Sequence, residues 1–250
     1  MEKIELGSTG IDVSRLGLGT VKFGRNEGVK YPEGFEIPDE TALADLLALA
    51  KDLGINMLDT APAYGTSEER LARLLAGQRE DWVIVGKAGE DFENGESIYN
   101  FSPEHIELSL KRSLKRLNTD YLDVFLLHSD GSDVANLSDN VIEAMQSLKK
   151  RGLVRAIGAS TKTAEGGLRA LEHMDVVMAT YTQDYRDEEP VLDYAATHGK
   201  GVLLKKVLSS GHDNDVSAAF KFAFSHSGVS AAVVGTINPA HLKANVQALV

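Results

Sequence analysis

Residues 55–65 read INMLDTAPAYG. A short apolar run ends at Asp59 and breaks into a turn, punctuated by proline and glycine, that carries Tyr64. Two further stretches repeat the form. Residues 82–90, WVIVGKAGE, bring their run to Lys87, and residues 121–130, YLDVFLLHSD, bring theirs to His128. Continuous apolar runs of this length suit parallel strands covered on both faces. In a closed parallel barrel, consecutive strands lie about 4.8 Å apart, and their carboxyl ends open on one mouth. The three stretches therefore predict a carboxylate, a phenol, an ammonium and an imidazole gathered in one pocket.

Outward from these stretches the chain keeps one rhythm. Strand-like runs are expected at residues 15–20, 55–59, 82–87, 122–127, 154–159, 176–180, 201–206 and 231–235. Helical segments are expected near 39–53, 67–76, 103–117, 138–151, 163–173, 189–198, 215–226 and 239–249. The third helix is the clearest: Ser102 can cap it, Pro103 suits its first position, and Ile106, Leu110, Leu114 and Leu117 recur at helical spacing. Asn238-Pro239 opens the last helix in the same way, and Thr66 with Glu69 fits a capping box. Residues 4–6 and 11–13 flank Gly7-Ser8-Thr9-Gly10, which predicts a β-hairpin ahead of the first run. No linker or composition break interrupts residues 1–250, so the expectation is an α/β fold in one domain: a (β/α)8 TIM barrel with an N-terminal β-hairpin. The long segment 21–38 falls after the first strand, at the mouth, where it is expected to shape the pocket.

Bulk composition narrows the functions. The 26 Lys and Arg against 37 Asp and Glu give a formal charge of −11. That balance argues against a nucleic-acid partner, which needs clustered cations. There is no cysteine, so thiolate metal sites and Cys nucleophiles are excluded. The seven histidines show no HxxxH or other ligand spacing. No stretch reaches the roughly 20 apolar residues of a membrane span, and the N-terminus has no signal-peptide core. A cytoplasmic protein with a small-molecule partner and no membrane partner is expected.

The four grouped residues suit carbonyl reduction, which needs a proton at oxygen while hydride arrives at carbon. Tyr64 is the candidate acid, although a free phenol near pKa 10 holds its proton firmly. A neighbouring ammonium favours phenolate, so Lys87 is expected to lower that pKa, with Asp59 holding Lys87 in place. His128 can donate a hydrogen bond to the carbonyl oxygen as charge develops there. Each residue alone also has an ordinary structural reading, as an ion pair, a turn residue or a core histidine. Jointly they favour chemistry.

These residues carry a resemblance to the aldo-keto reductase family, whose members are (β/α)8 barrels that use NAD(P)H. INMLDTAPAYGTSEERL resembles the family signature around its catalytic Asp and Tyr, and VIVGKAGE and LDVFLLHSD resemble its Lys and His segments. GLGTVKFG, LVRAIGAS and VVGTINPAHLKANVQAL extend the resemblance along the chain. It implies Tyr64 as proton donor, Lys87 and Asp59 as its tuners, and His128 as the group that orients the carbonyl.

No GxGxxG follows a strand, so a Rossmann site is not expected. Barrels often bind phosphate instead at the loops after the last two strands, on helix-start N–H groups. The resemblance places the adenosine phosphate end on Gly235, Thr236, Asn238, His241 and Asn245. It sets Ser160 against the nicotinamide amide, Thr20 and Val21 beneath the ring near Asp59, and Leu208 and Lys205 along the cofactor. NADPH is the expected cofactor, with NADH also possible because Gly235 and His241 replace the Lys or Arg that often grip the 2′-phosphate. Thr161 and Met178 replace a usual Asn and Gln. Lys205 stands where the family usually stacks an aromatic, so its ammonium is expected to approach either the phosphates or the ring of the reduced form.

The short segment 209–215 and the end of the sequence at residue 250 predict an open active site. Phe23, Tyr31, Phe35, Tyr99 and Phe101 are candidates for the pocket wall or for core anchors. Two rival readings stand beside the reductase. One is a nucleotide-sensing accessory protein with little turnover, against which the complete set of four argues. The other is a barrel isomerase or lyase on a phosphorylated sugar, which has no need of that set.

Overall fold

The computed structural model describes every residue except 30, 32, 33, 210–214 and 250. The chain opens with a hairpin, β1 (Lys3–Glu5) and β2 (Asp12–Ser14), then β3 (Leu16–Gly19), the short α1 (Val21–Gly24) and α2 (Glu40–Asp52). β4 (Met57–Asp59) leads through a 3-10 turn at Pro62–Tyr64 into α3 (Ser67–Leu74). After β5 (Val83–Ala88) comes a second hairpin, β6 (Glu90–Glu93) and β7 (Glu96–Tyr99), and then α4 (Pro103–Leu117). β8 (Leu122–His128) is followed by α5 (Asp133–Asn136) and α6 (Asp139–Lys150). The remaining pairs are β9 (Val154–Ser160) with α7 (Ala164–His173), β10 (Val176–Thr180) with α8 (Glu189–His198), β11 (Gly201–Lys205) with α9 (Val216–Ala223), and β12 (Ala231–Val234) with α10 (Pro239–Gln247).

Eight strands, β3-β4-β5-β8-β9-β10-β11-β12, pair in parallel and close into a barrel. The expected (β/α)8 fold is present, and so is the N-terminal hairpin. Strand side chains alternate faces, and here that alternation sorts them into two apolar layers. Met57, Val83, Val85, Val124, Leu126, Ala156, Val176, Met178, Leu203 and Ala231 fill the interior, joined by Leu6, Ile11 and Val13 of the hairpin region. Their neighbours Leu58, Ile84, Phe125, Leu127, Ile157, Val177 and Leu204 instead pack among helix residues such as Leu43, Ile106 and Leu171. Fully burying one such side chain contributes about 1.5–3 kcal/mol.

The same period of two fixes what comes next. Two residues beyond Met57, Val85, Leu126, Met178 and Leu203 stand Asp59, Lys87, His128, Thr180 and Lys205. The barrel interior is apolar up to that layer and polar in it. The ladders step this layer by two residues between several strands, with Asp59 opposite Val85, Lys87 opposite Leu126 and Ser160 opposite Met178, while His128 pairs with Ser160 and Thr180 with Lys205.

Two of the expected caps form: Ser102 accepts from His105 N at 3.3 Å, and Asn238 from Ala240 N at 2.8 Å. Thr66 is a correction. It precedes α3, but with φ −89° and ψ 12° its hydroxyl makes no capping bond, because it lacks the extended backbone that aims an N-cap side chain at the first turn. The β6–β7 hairpin was not expected from the sequence. Asn94 and Gly95 turn it with φ of 53° and 85°, a pair of positive values that suits a two-residue hairpin loop. Among the described residues, no helix is long and apolar enough to cross a membrane.

Candidate active site

Asp59, the inward end of β4, is tied down by its backbone. Its carbonyl accepts from Thr20 N and from Thr20 Oγ1, each at 2.9 Å, and Ser67 Oγ in turn donates to Thr20 Oγ1 at 2.8 Å. Thr20 is fully buried, so its hydroxyl fastens β3 to the end of β4. Lys87 reaches across from β5. Its ammonium donates to Asp59 Oδ1, to Thr60 O at 3.1 Å and to the Tyr64 hydroxyl at 3.2 Å. Lys87 is 1% exposed, and a buried charge of this kind persists only when paired and hydrogen-bonded. The Tyr64 hydroxyl donates in turn to Asp59 Oδ2 at 3.3 Å. Three of the four expected residues thus form one bonded cluster.

Close packing holds the turn that carries Tyr64. Gly65 has φ +62°, and a Cβ there would stand 2.1 Å from Gly24 O; a Cβ on Gly24 would stand 2.5 Å from Tyr64 O. Only glycine permits this approach of α1 to the turn. Arg25 locks the contact by donating to Ala63 O at 3.0 Å and Gly28 O at 3.0 Å, with its guanidinium 3.4 Å from the Phe92 ring centroid.

His128 faces Tyr64 from β8, with ring centroids 6.2 Å apart and planes at 83°. Its buried Nδ1 lies 2.8 Å from Glu90 Oε2, although the approach falls outside hydrogen-bonding geometry. Glu90, on β6, also accepts from Ser97 Oγ at 2.6 Å. Glu90 is a site residue that the sequence reading missed.

The electrostatics correct one expectation. Lys87 was expected to lower the Tyr64 pKa, whereas burial, followed by the charges of Asp59, Tyr31 and Glu90, pushes it well above 10. The ammonium is already matched by Asp59, so the phenol meets a near-neutral pair and additional carboxylate charge. Burial also lowers His128 from 6.5; Glu90 opposes that shift and Lys87 adds to it. Burial alone would raise Glu90, but His128, Ser97 and Arg25 bring it down to about 2.

Beyond the cluster, Ser160 ends β9 beside His128 and accepts from Lys205 Nζ at 3.1 Å. The other donations of Lys205 go to Thr161 O and, at 3.4 Å, to Met178 O. Its pKa is lowered to about 8, mainly by burial. Val21 begins α1, and Leu208 packs half-buried against the outer apolar layer. At the β12 end, a Cβ on Gly235 would stand 2.6 Å from the Tyr31 hydroxyl, so the long segment after β3 folds over the end of the neighbouring strand β12. Thr236 Oγ1 accepts from Asn238 N at 3.1 Å; Thr236 and Asn245 are buried and His241 is exposed. Of the candidate wall residues, Phe23 is fully buried in the outer core, while Tyr31–Phe35 and Tyr99–Phe101 form ring pairs at 5.8 and 6.2 Å. Most of the segment 209–215 lies outside the described residues.

A cavity of about 470 Å³ opens beside this layer, lined by Lys162, Thr180, Thr182, Asp184, Tyr185, Glu188, Lys206 and Ser209. Lys162 and Lys206 in its lining suit anionic groups such as the phosphates of a dinucleotide. Outside this lining, the start of α10, capped by Asn238, is a second feature suited to phosphate, and Ser160 is a hydroxyl suited to an amide-bearing ring. Another cavity, about 400 Å³, includes Lys3, Asn56, Trp82 and Arg155, at the opposite end of the strands from the cluster. Among the described residues, no group of three His, Asp or Glu could hold a metal ion.

The Aldo/keto reductase family model matches residues 15–215. The crystal structure of a protein described as a "putative aldo-keto reductase" of Pseudomonas aeruginosa superposes with a TM-score of 0.91 at 56% identity, covering 99% of this chain and 93% of that one. Aldo-keto reductase YhdN of Bacillus subtilis is 32% identical over 84% of this chain and 63% of its own length. The NADH-specific methylglyoxal reductase of Escherichia coli is 31% identical over 84% of this chain and 68% of its own. The chain thus spans about half to two thirds of the length of these and related curated proteins.

Proposed function

The chain belongs to the aldo/keto reductase family, and from that premise we propose that it reduces an aldehyde or ketone to the alcohol. The observation that carries this reading is the contact of one phenol hydroxyl with both a buried ammonium, at 3.2 Å, and that ammonium's carboxylate partner, at 3.3 Å, across from an imidazole. A bound reduced nicotinamide dinucleotide would supply the hydride. Tyr64 supplies the proton. Its high pKa keeps the phenol protonated through the neutral range, and an oxygen acquiring alkoxide character is basic enough to take that proton. As the proton leaves, Lys87 donates to the phenolate oxygen that forms, and Asp59 keeps the ammonium from swinging away. His128 presents its second ring nitrogen to the carbonyl oxygen.

NADPH is the first candidate, and NADH is admitted beside it. Of the residues proposed for the adenosine phosphate end, only His241 can carry a positive charge, and it is exposed. That is a weak grip on a 2′-phosphate. The relative from Escherichia coli bears an NADH-specific name. The nucleotide-sensing alternative is disfavoured because its binding role leaves the buried Lys87–Asp59 pair, costly to desolvate, without chemical use.

The test is turnover of para-nitrobenzaldehyde with either reduced nucleotide, followed by nucleotide absorbance. Tyr64→Phe is expected to abolish turnover while nucleotide binding, measured by calorimetry, stays within a few-fold. Full activity in that variant overturns the proton-donor assignment. Nucleotide binding without turnover of any aldehyde or ketone in a broad screen supports the accessory reading.

A further inference from the structure

Lys205 is the inward residue that ends β11, in the same layer as the catalytic candidates, and the mechanism above makes no use of it. Its ammonium has three N–H donors and three acceptors: Ser160 Oγ at 3.1 Å, Thr161 O, and Met178 O at 3.4 Å. Two of the three are backbone carbonyls at the ends of β9 and β10, so the barrel itself fixes the position of the charge. With its hydrogen bonds committed, the group has little left to offer a ligand as a donor. It acts through charge.

What that charge faces follows from the register. Ser160 stands opposite His128 on one side and Met178 on the other, and Thr180 opposite Lys205. A hydride donor must lie within contact of a carbonyl carbon whose oxygen is held by Tyr64 and His128. The space that satisfies this adjoins Ser160, and Lys205 is bonded to Ser160. A nicotinamide placed there is neutral when reduced and cationic when oxidised.

We propose that Lys205 is a specificity residue that makes this site favour the reduced nucleotide over the oxidised one, by like-charge repulsion of the oxidised ring. The inference rests on the nicotinamide reading given above. It takes no view of substrate. Repulsion between unit charges near a partly open protein surface amounts to about tenfold or more in relative affinity.

The charge can be switched off. Burial brings Lys205 to a pKa of about 8. The other charged groups acting on it are Glu188 at the start of α8, Lys206 beside it, Asp133 on α5, and Lys162 after β9. Across the mouth, Tyr64 is pushed well above 10 and His128 below 6.5. Lys205 is therefore expected to change charge between about pH 7 and pH 9.

The experiment is calorimetric titration of the intact protein with NADPH and NADP⁺, and with NADH and NAD⁺, at pH 6.5 and pH 9.5. The wild type is expected to bind the reduced form about tenfold more tightly, relative to the oxidised form, at the lower pH than at the higher. Lys205→Met is expected to show the smaller ratio at both pH values. Lys205→Arg keeps its charge at both, so it is expected to hold the larger ratio throughout. A wild-type ratio independent of pH, or equal ratios in wild type and Lys205→Met, overturns the proposal while leaving the reductase reading intact. No measurable binding of either redox form by the wild type overturns both. If Lys205→Met does not fold, the wild-type pH series and Lys205→Arg decide the matter together.

Discussion

Replacing Glu90 by Gln tests how the imidazole of His128 is held. The carboxylate lies 2.8 Å from Nδ1, and the two side chains are 11% and 21% exposed. Unit charges at that separation attract by about 6 kcal/mol at an effective dielectric of about 20. Desolvation of both groups removes most of that. The off-axis approach forgoes a hydrogen bond, so what remains is a partly desolvated ion pair, of about 1 kcal/mol, or about one pKa unit at roughly 1.4 kcal/mol per unit. Burial already holds His128 below 6.5 and Glu90 opposes it. Removing the negative charge therefore lets the pKa fall further.

The assay is an NMR titration of the ring carbons in wild type and Glu90→Gln, with the His128 signal assigned by its loss in His128→Gln. The expected result is a His128 pKa about one unit lower in the variant, with the other histidines unchanged. An unchanged or higher value refutes the reasoning. It would mean that burial alone governs the ring and that the charge of Arg25 and the hydrogen bond from Ser97 offset the carboxylate's effect on it.

Acid stability follows from the same pair. Glu90 has its folded pKa depressed to about 2 from 4.5, so its contribution is present above 4.5 and disappears as pH falls toward 2. The shift corresponds to about 3 kcal/mol, and His128, with its folded pKa below 6.5, adds a loss of the same sign as pH falls through that region. Chemical denaturation across this range is expected to show a flatter acid limb in Glu90→Gln; parallel curves count against it. Lys87→Met leaves the buried Asp59 carboxylate unpaired and is expected to destabilise by about 3–5 kcal/mol. Much of that should return in Lys87→Met/Asp59→Asn, read from denaturation midpoints, and no recovery in the double variant would show that the pair is not the cause. Gly24→Ala places a methyl 2.2 Å from Ser67 N and 2.5 Å from Tyr64 O. It is expected to cost about 1–3 kcal/mol and to lower kcat by displacing the phenol, whereas a wild-type kcat would show that the turn adapts.

Much of the site was legible because β-strand alternation is simple. Given that Val83 and Val85 face inward, Lys87 must; given Val124 and Leu126, so must His128. The ends of the runs were enough to gather Asp59, Lys87 and His128 in one mouth; Lys205 was singled out by the family resemblance, since its run was expected to end one residue later, at Lys206. Glu90 was not read because its hairpin carries charge on both strands, EDFE and ESIY, so no run of apolar residues marks it. Asn94-Gly95 between them is the signal that should have found it. The Tyr64 pKa was misjudged for a different reason. Sequence names the ammonium beside a phenol, but not how fully a carboxylate has already matched it, nor how many other acids share the mouth. Thr66 failed as a capping box because backbone angles, not residue types, decide whether a hydroxyl reaches the first turn.

Lys87 and Lys205 hold equivalent places, each an inward-facing ammonium in the mouth layer, and the fold treats them oppositely. Lys87 touches a carboxylate directly, so the pair presents almost no net charge to the cleft and its value lies in the hydrogen bond to Tyr64. Lys205 is held by a hydroxyl and two carbonyls, which supply partial charges only. Glu188, the largest opposing influence, is itself pushed toward its protonated form by burial. Its oxygens are occupied by Thr161 Oγ1 at 2.9 Å and Thr180 N at 2.8 Å. The positive charge at β11 is thus held off from full neutralisation by the same strand ends that fix its position. Under the proposed reaction, a mouth lined by one matched and one partly matched lysine would have two different instruments for the two ends of a hydride transfer: one to place a proton, the other to weigh the charge of the donor.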